Sequence, residues 1–256
     1  MQLITITGGR TLHGRIRPAA AKNSVLPLLA ATLLCRTPSR LRAVPPLADV
    51  ATSLALLQSV GAKAERQGSD LFVAPGQDLQ GEIPDYLAGA MRSSVFYLAP
   101  LLCRVGEVRL PLPGGCKLGP RPVDIHLAGL AAMGAQVELE GIAVTLRRRG
   151  PLHGVDFALR LPSVGATMTL MMAATQAGGT TILRGAACEP EICDLANFLR
   201  ACGAHITGAG TPVVVIQGGK PLQGTAWTPL PDRIAAATYA AALACAGGEG
   251  TGPPLA

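Results

Sequence analysis

The segment that decides the fold reads Val123-Asp124-Ile125-His126-Leu127-Ala128-Gly129-Leu130-Ala131-Ala132-Met133-Gly134-Ala135-Gln136. Its first eleven residues have the apolar pattern of a helix, and Gly134 stands where a left-handed glycine commonly ends one. The same Gly-Ala ending occurs at Gly61-Ala62, 73 residues earlier, and at Gly203-Ala204, 69 residues later. This nearly constant spacing predicts an internal structural repeat.

Three repeat units extend outward from these endings. The repeated blocks cover residues 41–73, 106–146 and 178–216, and apolar helices are predicted between them over 23–34, 91–102 and 163–175. Each unit then reads helix, strand, helix, strand, strand. Because the intervening helices are apolar on all sides, we expect them to be buried. The predicted fold class is α/β, with three units packed about a common axis, helices inside and sheets outside.

Both ends of the chain depart from this repeat. Residues 1–10 alternate like a strand, and residues 231–246 predict a fourth, alanine-rich helix similar to the interior ones. The chain continues as Gly247-Gly248-Glu249-Gly250-Thr251-Gly252-Pro253-Pro254-Leu255-Ala256, in which no strand is predicted. We therefore expect the pattern to enter a fourth copy and stop, without the polar unit that normally caps a repeat array.

A turn-rich loop with one cysteine precedes the quoted helix. It reads Pro113-Gly114-Gly115-Cys116-Lys117-Leu118-Gly119-Pro120-Arg121-Pro122, with three glycines and three prolines. Lys117, Arg121 and the glycine N–H groups would favour an anion or a thiolate at Cys116. The loop suits chemistry on an anionic substrate with a thiol as acid or nucleophile. An inert cysteine in a glycine-rich connection is the alternative, and the loop alone leaves both open.

Charge and composition narrow the class of ligand. The 256 residues hold 22 Lys and Arg against 16 Asp and Glu, a formal charge of +6, and only 3% aromatic residues. The longest basic run is Arg147-Arg148-Arg149, and the interleaved aromatics of single-strand binding are missing, so no nucleic-acid partner is expected. The modest positive excess suits small anionic substrates.

The cysteines and the apolar runs indicate a cytoplasmic protein. Seven cysteines are scattered singly, as in a reducing compartment. The N-terminus has no signal-peptide pattern, and no apolar run reaches the roughly 20 residues of a membrane span, so no membrane partner is expected. Cys35, Cys103 and Cys245 lie in apolar helices and are interpreted as core residues.

Two further groups of side chains are candidate sites. Cys188, Cys193, Cys202 and His205 could suggest zinc, but Cys193 and Cys202 should lie on opposite faces of one helix, so no metal is expected. His126, one turn into the helix after the cysteine loop, is expected along the domain surface rather than as an acid or base.

Six motifs together resemble one family of enzymes. They are Ala21-Lys22-Asn23, Met91-Arg92-Ser93-Ser94, the loop from Pro113 to Asp124, Ser163-Val164-Gly165-Ala166-Thr167, Glu189-Pro190-Glu191-Ile192 and Leu230-Pro231-Asp232-Arg233-Ile234. In order and spacing, across nearly the whole chain, they resemble the UDP-N-acetylglucosamine 1-carboxyvinyltransferases of the enolpyruvyl transferase family. The resemblance implies an inside-out α/β barrel domain of three repeated units.

The resemblance also implies a reaction. The enolpyruvyl group of phosphoenolpyruvate passes to the 3-hydroxyl of UDP-N-acetylglucosamine and phosphate is released, the first committed step of peptidoglycan precursor synthesis, with no cofactor. Cys116 matches the active-site cysteine, which serves as acid, adds to phosphoenolpyruvate and is the target of fosfomycin. An ordinary thiol, with a pKa of about 8.5, is mostly protonated at neutral pH and can donate a proton.

The remaining site residues follow by match of motif. Lys22, Arg92 and Arg121 match the residues that hold phosphoenolpyruvate, and Asn23 matches one that touches the sugar. The segments that match the binding site of the uridine diphosphate part are Arg121, Pro122, Val123, Asp124, Ile125 and Ser163, Val164, Gly165. An ordinary helix N-cap is the alternative for Ser163. The family commonly has a lysine where this chain has Leu161, so one cation on the nucleotide side is missing.

The resemblance further predicts a domain division. Residues 18–229 form the three-repeat domain, residues 1–17 carry an N-terminal strand of a second, similar domain, and residues 230–256 form that domain's truncated start. A second-domain aspartate and arginine of the family have no match in this chain. The alternative function is therefore a catalytically incomplete remnant that binds the nucleotide sugar or phosphoenolpyruvate. Uncovered second-domain surfaces would favour self-association.

Overall fold

A computed structural model describes residues 3–5, 7–111 and 123–252 of the chain. The α-helices are α1 (Lys22–Ala31), α2 (Ala48–Ser59), α3 (Asp85–Ala90), α4 (Leu98–Val105), α5 (Asp124–Ala132), α6 (Val164–Gln176), α7 (Pro190–Ala201) and α8 (Arg233–Ala246). The strands are β1 (Leu12–Arg15), β2 (Ser39–Leu41), β3 (Lys63–Gln67), β4 (Asp70–Ala74), β5 (Glu107–Pro111), β6 (Gln136–Glu140), β7 (Ala143–Arg147), β8 (Asp156–Ala158), β9 (Thr180–Arg184), β10 (His205–Thr207), β11 (Val213–Gln217), β12 (Ala226–Trp227) and β13 (Gly248–Thr251).

The same strand order occurs in three sheets. In each sheet, the third strand of the unit in sequence lies in the centre. The first and second strands of the unit pair antiparallel with its two edges. These sheets are β2-β4-β3, β5-β7-β6 and β9-β11-β10. A parallel neighbour joins each first strand: β12 beside β2, β8 beside β9, and a single bridge from Glu82 to Arg109 in β5. The strand order repeats as the Gly-Ala spacing predicts.

The three Gly-Ala endings have one geometry. Gly61, Gly134 and Gly203 have φ of 94°, 102° and 108°, a region in which the backbone of any residue other than glycine is strained. The next alanine N–H closes each helix by donating to the carbonyl five residues back, at 2.9 Å in the first and third unit and 3.0 Å in the second. This is the Schellman arrangement, and it reverses the chain into the next strand at the same point of each unit.

Buried helices occupy the interior. Every residue from 24 to 31 in α1 and from 166 to 175 in α6 is buried. Helix α6 packs against α4, α5 and α7, and α1 packs against α7 and a 3-10 helix at Arg92–Tyr97. In the three sheets, strands such as β9 and β11 alternate buried and exposed residues, so one face of the sheet covers the core and the other faces solvent.

One of the predicted interior helices is divided. Residues 91–102 were expected to form one helix, but the 3-10 helix Arg92–Tyr97 comes first and α4 begins only at Leu98. Pro100 explains the change, because it has no N–H to donate to the carbonyl of Phe96 and its ring crowds that carbonyl. The backbone ahead of the proline therefore tightens into 3-10 geometry.

The two ends of the chain pair with each other, which corrects two predictions. The described residues 3–5 and 7–10 form no strand, and the first strand is β1 at Leu12–Arg15. A strand does follow the last helix, since β13 pairs in parallel with β1. Gly248-Glu249-Gly250-Thr251 has little strand propensity of its own, so only the pairing with β1 makes it a strand.

Helix α8 differs from the interior helices that it resembles in sequence. It has no buried residue, and Cys245 is exposed rather than part of a core. Two backbone hydrogen bonds join the segment before α1 to the segment before α8. The Ala21 N–H donates to the Leu230 carbonyl and the Asp232 N–H donates to the Ala19 carbonyl, both at 2.8 Å. The division at residues 17/18 and 229/230 stays a prediction. Within the described ranges, the helices are all too short or too polar to cross a membrane.

A close contact between α5 and α6 leads to a test of the packing. A Cβ on Gly129 in α5 would lie 2.4 Å from both methyl carbons of Leu170, which is itself buried in α6. We expect Gly129→Ala to lower the free energy of unfolding by about 1–3 kcal/mol because of this overlap. Urea unfolding measures the change.

Gly89 in α3 provides the matched control. No atom of the described residues lies within 4 Å of a Cβ at this position, so Gly89→Ala should raise the free energy of unfolding by up to about 1 kcal/mol through helix propensity. A Gly129→Ala variant as stable as Gly89→Ala would contradict the close packing of α5 on α6.

Candidate functional site

The N-termini of six α-helices meet at one cavity of about 680 Å³. Its lining from α1, α2 and the 3-10 helix comprises Lys22, Asn23, Leu26, Asp49, Arg92, Ser93, Val95 and Phe96. Its lining from α5, α6, α7, α8 and the residues before them comprises Val123, Asp124, Ile125, His126, Arg160, Leu161, Ser163, Val164, Gly165, Met168, Glu189, Glu191 and Arg233. The cavity is therefore built from all three repeat units and the start of α8.

Helix N-termini give this cavity a positive potential. The first N–H groups of each helix have no partner within the helix, and each N-terminus carries roughly +0.5 elementary charge. Six such ends around one cavity favour a negatively charged ligand before any side chain is considered. The lining side chains add four cations and four carboxylates, so they contribute little net charge of their own.

Lys22 stands at the start of α1 and pairs with a carboxylate. Its Nζ lies 2.9 Å from Oδ2 of Asp49 in the first turn of α2. About half of the Lys22 side chain is exposed, so the pair is open to the cavity and is easily exchanged for an anionic ligand. Pro27, inside α1, has no N–H to donate to the carbonyl of Asn23, which leaves that carbonyl without its usual helical partner.

A second ion pair stands beside α5 and α6. Arg160 donates from Nη2 to Oδ2 of Asp124 at 2.5 Å, and this hydrogen bond from Arg160 lowers the pKa of the Asp124 carboxyl. Leu161, adjacent to Arg160, is exposed and lines the same cavity. The cation missing at position 161 is therefore present one residue earlier.

The start of α6 has a helix cap. The Ser163 Oγ accepts a hydrogen bond from the Ala166 N–H at 3.3 Å, as an ordinary N-cap does. This cap leaves the N–H groups of Val164 and Gly165 outside the bonding pattern of α6, at the edge of the cavity. These two groups are the donors that the start of α6 can offer to a ligand.

His126 was expected along the surface, and the structure corrects this. The side chain is 5% exposed, lines the cavity and has no hydrogen-bond partner on either ring nitrogen among the described residues. Burial, with a smaller effect from the charge of Arg92, lowers its pKa to about 4. A neutral imidazole therefore offers one donor and one acceptor. A Cβ on Gly165 would lie 2.8 Å from its Nε2, so only glycine allows this contact with α6.

Two buried carboxylates support the wall of the cavity from α7. Glu191 accepts two hydrogen bonds from Arg233, at 3.0 and 3.2 Å, which ties α7 to the start of α8. Asp194 accepts hydrogen bonds from the Ser24 hydroxyl in α1 and from the Trp227 indole N–H at 2.9 Å in β12. Burial raises the pKa of Asp194. These contacts fix α1 and α8 relative to α7.

The structure brings most of the predicted site residues together. Those lining the cavity are Lys22, Asn23, Arg92, Val123, Asp124, Ile125, Ser163, Val164 and Gly165. Cys116, Arg121 and Pro122 lie outside the described residues. Sequence reasoning missed the roles of Asp49, Arg160 and His126 in the lining. Their only sequence signal is position, since each lies within three residues of a helix start or of another site residue.

The arrangement of the remaining cysteines argues against zinc. Cys202, directly after α7, faces Cys35, with 3.7 Å between the two sulfurs, whereas Cys193 within α7 lies against Gly210. The two sulfurs therefore have different neighbours. Within residues 3–5, 7–111 and 123–252, nowhere do three or more metal-binding side chains form a group that could hold an ion.

Solved structures define the class of protein to which this fold and cavity correspond. The enolpyruvyl transferase NikO from Streptomyces tendae matches 91% of this chain and 55% of its own, with a TM-score of 0.79 and 25% sequence identity. The EPSP synthase from Acinetobacter baumannii shares the fold with a TM-score of 0.73 at 18% identity, over 91% of this chain and 53% of its own. The fold is that of an enolpyruvyl transferase.

Sequence comparison identifies the family. The family model for EPSP synthase (3-phosphoshikimate 1-carboxyvinyltransferase) matches residues 6–251, and the chain belongs to this family. UDP-N-acetylglucosamine 1-carboxyvinyltransferase from Cellvibrio japonicus is 44% identical over 97% of this chain and 60% of its own length. The protein of the same name from Nitratidesulfovibrio vulgaris strain DP4 is 47% identical over 97% of this chain and 59% of its own length. The chain thus spans about 60% of the length of these relatives.

The buried histidine predicts an acid-dependent loss of stability. The folded pKa of His126 is about 4 and the ordinary value is 6.5, so the unfolded chain binds a proton first as the pH falls. The contribution of neutral His126 to the free energy of unfolding is complete above the unfolded-state pKa of 6.5. It is lost as the pH falls toward the folded-state pKa of about 4, by about 2 kcal/mol between pH 7 and pH 5. We expect His126→Gln to remove this part of the pH dependence, as measured by urea unfolding at both pH values. Equal pH dependence in the two proteins would show that His126 is not buried in its neutral form.

Proposed function

We propose that this chain transfers the enolpyruvyl group of phosphoenolpyruvate to the 3-hydroxyl of UDP-N-acetylglucosamine and releases phosphate. The observation that carries the proposal is the convergence of six helix N-termini on a cavity that gathers the nine described site residues. Both substrates carry several negative charges, which this potential favours. The names of the 44% and 47% identical relatives support UDP-N-acetylglucosamine as the acceptor.

Phosphoenolpyruvate is assigned to the side of the cavity lined by Lys22 and Arg92. Guanidinium and ammonium groups bind phosphate and carboxylate oxygens well, and the start of α1 adds its N–H groups. The Lys22–Asp49 pair would open as Nζ turns to the phosphate, which costs little at a half-exposed site. Arg121 is assigned to the same substrate by resemblance.

The diphosphate of the sugar nucleotide is assigned to the starts of α5 and α6. The Val164 and Gly165 N–H groups supply neutral donors, and Arg160 supplies the cation that Leu161 cannot. Asp124 holds Arg160 at the cavity in the absence of a ligand. A cavity of about 680 Å³ lies within the range of roughly 300–1,000 Å³ that is usual for small-molecule sites.

The chemistry needs an acid and an electrostatic clamp. A proton must reach the methylene carbon of phosphoenolpyruvate while the sugar hydroxyl attacks the adjacent carbon and gives up its own proton. Phosphate then leaves together with one proton of the new methyl group, which restores the double bond. The Cys116 thiol is assigned as the acid by resemblance. The cations and helix N-termini hold the phosphate charge throughout, so no metal or organic cofactor is part of this proposal. The cytoplasmic location stays a prediction.

A phosphate-release assay tests the proposed reaction. The protein should release phosphate only when phosphoenolpyruvate and UDP-N-acetylglucosamine are both present, and Cys116→Ser should slow this by at least about 100-fold because the acid is lost. Fosfomycin should add to Cys116 in the unaltered protein, as seen by mass spectrometry, and not in the variant. Binding of both substrates without phosphate release would favour the alternative, a binding protein that does not turn over.

Substitutions at positions 160 and 161 test the nucleotide side. Arg160→Ala should weaken UDP-N-acetylglucosamine binding by about tenfold, because one charge-assisted contact is lost and Asp124 is left to repel the diphosphate. Leu161→Lys should restore much of that affinity in the Arg160→Ala background. Titration calorimetry measures both, with uridine as the control ligand that lacks phosphate. An Arg160→Ala effect equal for uridine and the sugar nucleotide would rule out a diphosphate contact.

A further inference from the structure

A second cavity of about 430 Å³ lies at the opposite ends of the interior helices. Its lining residues are Leu34, Arg36, Pro75, Gly76, Gln77, Arg104, Gln176, Gly219, Lys220, Pro221 and Leu222. Three of them are cationic, two carry side-chain amides, and none of these described residues is acidic. The described side chains that line this cavity therefore carry a net positive charge, whereas the cations and carboxylates that line the first cavity are equal in number.

The interior helices separate the two cavities. Helix α6 runs from Gly165 at the first cavity to Gln176 at the second, and α1 with its following 3-10 helix (Thr32–Leu34) runs from Lys22 to Leu34. At about 1.5 Å per residue in an α-helix and 2.0 Å in a 3-10 helix, the two cavities lie roughly 20 Å apart. One ligand of ordinary size therefore cannot fill both.

Arg104 has a structural role in this second cavity. Its Nη1 donates to the carbonyls of Leu33 at 2.5 Å and Cys35 at 3.2 Å, and its Nη2 donates to the carbonyl of Gly76 at 3.1 Å. These bonds satisfy carbonyls beyond the end of α1, and the charge offsets the negative potential of the helix C-termini. Arg104 is thus largely committed, and the charge available to a ligand comes from the other two cations.

Arg36 and Lys220 supply that charge. Both side chains are exposed, and the Arg36 guanidinium makes no hydrogen bond or ion pair with any other described residue. Lys220 Nζ lies 2.8 Å from His205 Nε2, and this contact uses one of the three ammonium hydrogens and leaves two. The two segments are held side by side, since the Arg36 N–H donates to the Leu222 carbonyl at 2.9 Å. The backbone therefore brings two cations with free donors to the same cavity.

We propose that this second cavity binds a small metabolite through a diphosphate or phosphate group. Arg36 offers the planar fork that fits two phosphate oxygens, and Lys220 offers a compact charge beside it. The helix ends nearby carry a partial negative charge of about −0.5 each and oppose any anion, so the attraction must come from the two cations. A phosphate group is favoured over a single carboxylate because its additional oxygens let Arg36 and Lys220 bind it at the same time. The Gln77 and Gln176 amides provide further donors at the wall. The site is independent of the reaction proposed for the first cavity.

Pyrophosphate titration followed by amide NMR tests the proposal. The expected result is a set of shifts at Gly219 and Lys220, with a midpoint separate from that of any shifts at Ile125 and Gly165 in the first cavity. Arg36→Ala and Lys220→Ala should each weaken the midpoint at Gly219 by about tenfold, and leave the midpoint at Gly165 unchanged. Arg104 is left intact, because its loss would disturb the fold.

Arg149→Ala is the matched control, since it removes one exposed positive charge outside both cavities. It should leave both midpoints unchanged, and acetate at the same concentration should not reproduce the shifts at Gly219. The proposal is overturned if Arg36→Ala and Lys220→Ala behave like Arg149→Ala. It is also overturned if pyrophosphate shifts only the first cavity, or if acetate binds as well as pyrophosphate. Thermal unfolding of each variant confirms that it is folded.

Discussion

The structure depends on buried helices whose N-termini all reach the same cavity. A helix that is apolar on every side must be surrounded by protein, and α1 and α6 are buried along nearly their whole length. The first N–H groups of each helix have no partner within the helix, so these donors lie at the point where each helix begins. The same packing that completes the core therefore gathers donors and positive potential at one end of the domain. The positive potential that would favour an anion therefore follows from the core rather than from any single side chain.

The ion pairs around the cavity are consistent with this potential. Asp49, Asp124 and Glu191 stand in the first turns of α2, α5 and α7, where a carboxylate is stabilised by the helix dipole. Each holds a cation of the cavity, respectively Lys22, Arg160 and Arg233. These carboxylates keep the cations extended toward the cavity, and a ligand with phosphate groups can take the place of the exposed ones. Glu191 is buried, so its pair with Arg233 serves the packing of α8 on α7 instead.

Sequence reasoning succeeded where the pattern is local and repeated. The Gly-Ala endings at 61, 134 and 203 are set by glycine alone, and the structure has the same cap at each. Sequence reasoning failed where residues distant in the chain determine the structure of a segment. Strand β13 has no strand pattern and exists because β1 lies beside it, and α8 shares the composition of the interior helices but stays exposed.

The candidate site could be predicted in part for the same reason. Motif matching found the residues at helix starts, and the nine that the structure describes do meet in one cavity. It could not find Arg160 or His126, because their roles arise from contacts with Asp124 in another motif and with Gly165 on another helix. A buried imidazole without a hydrogen-bond partner among the described residues is visible only after α5 has been packed on α6. The cavity between Arg36 and Lys220 likewise joins segments more than 180 residues apart.

A crystal structure of the protein with UDP-N-acetylglucosamine bound is the most direct test of the central claim. The account predicts the diphosphate within hydrogen-bonding distance of the Val164 and Gly165 N–H groups, with Arg160 turned from Asp124 toward it. A diphosphate bound away from the helix N-termini, with the Arg160–Asp124 pair unchanged, would contradict it.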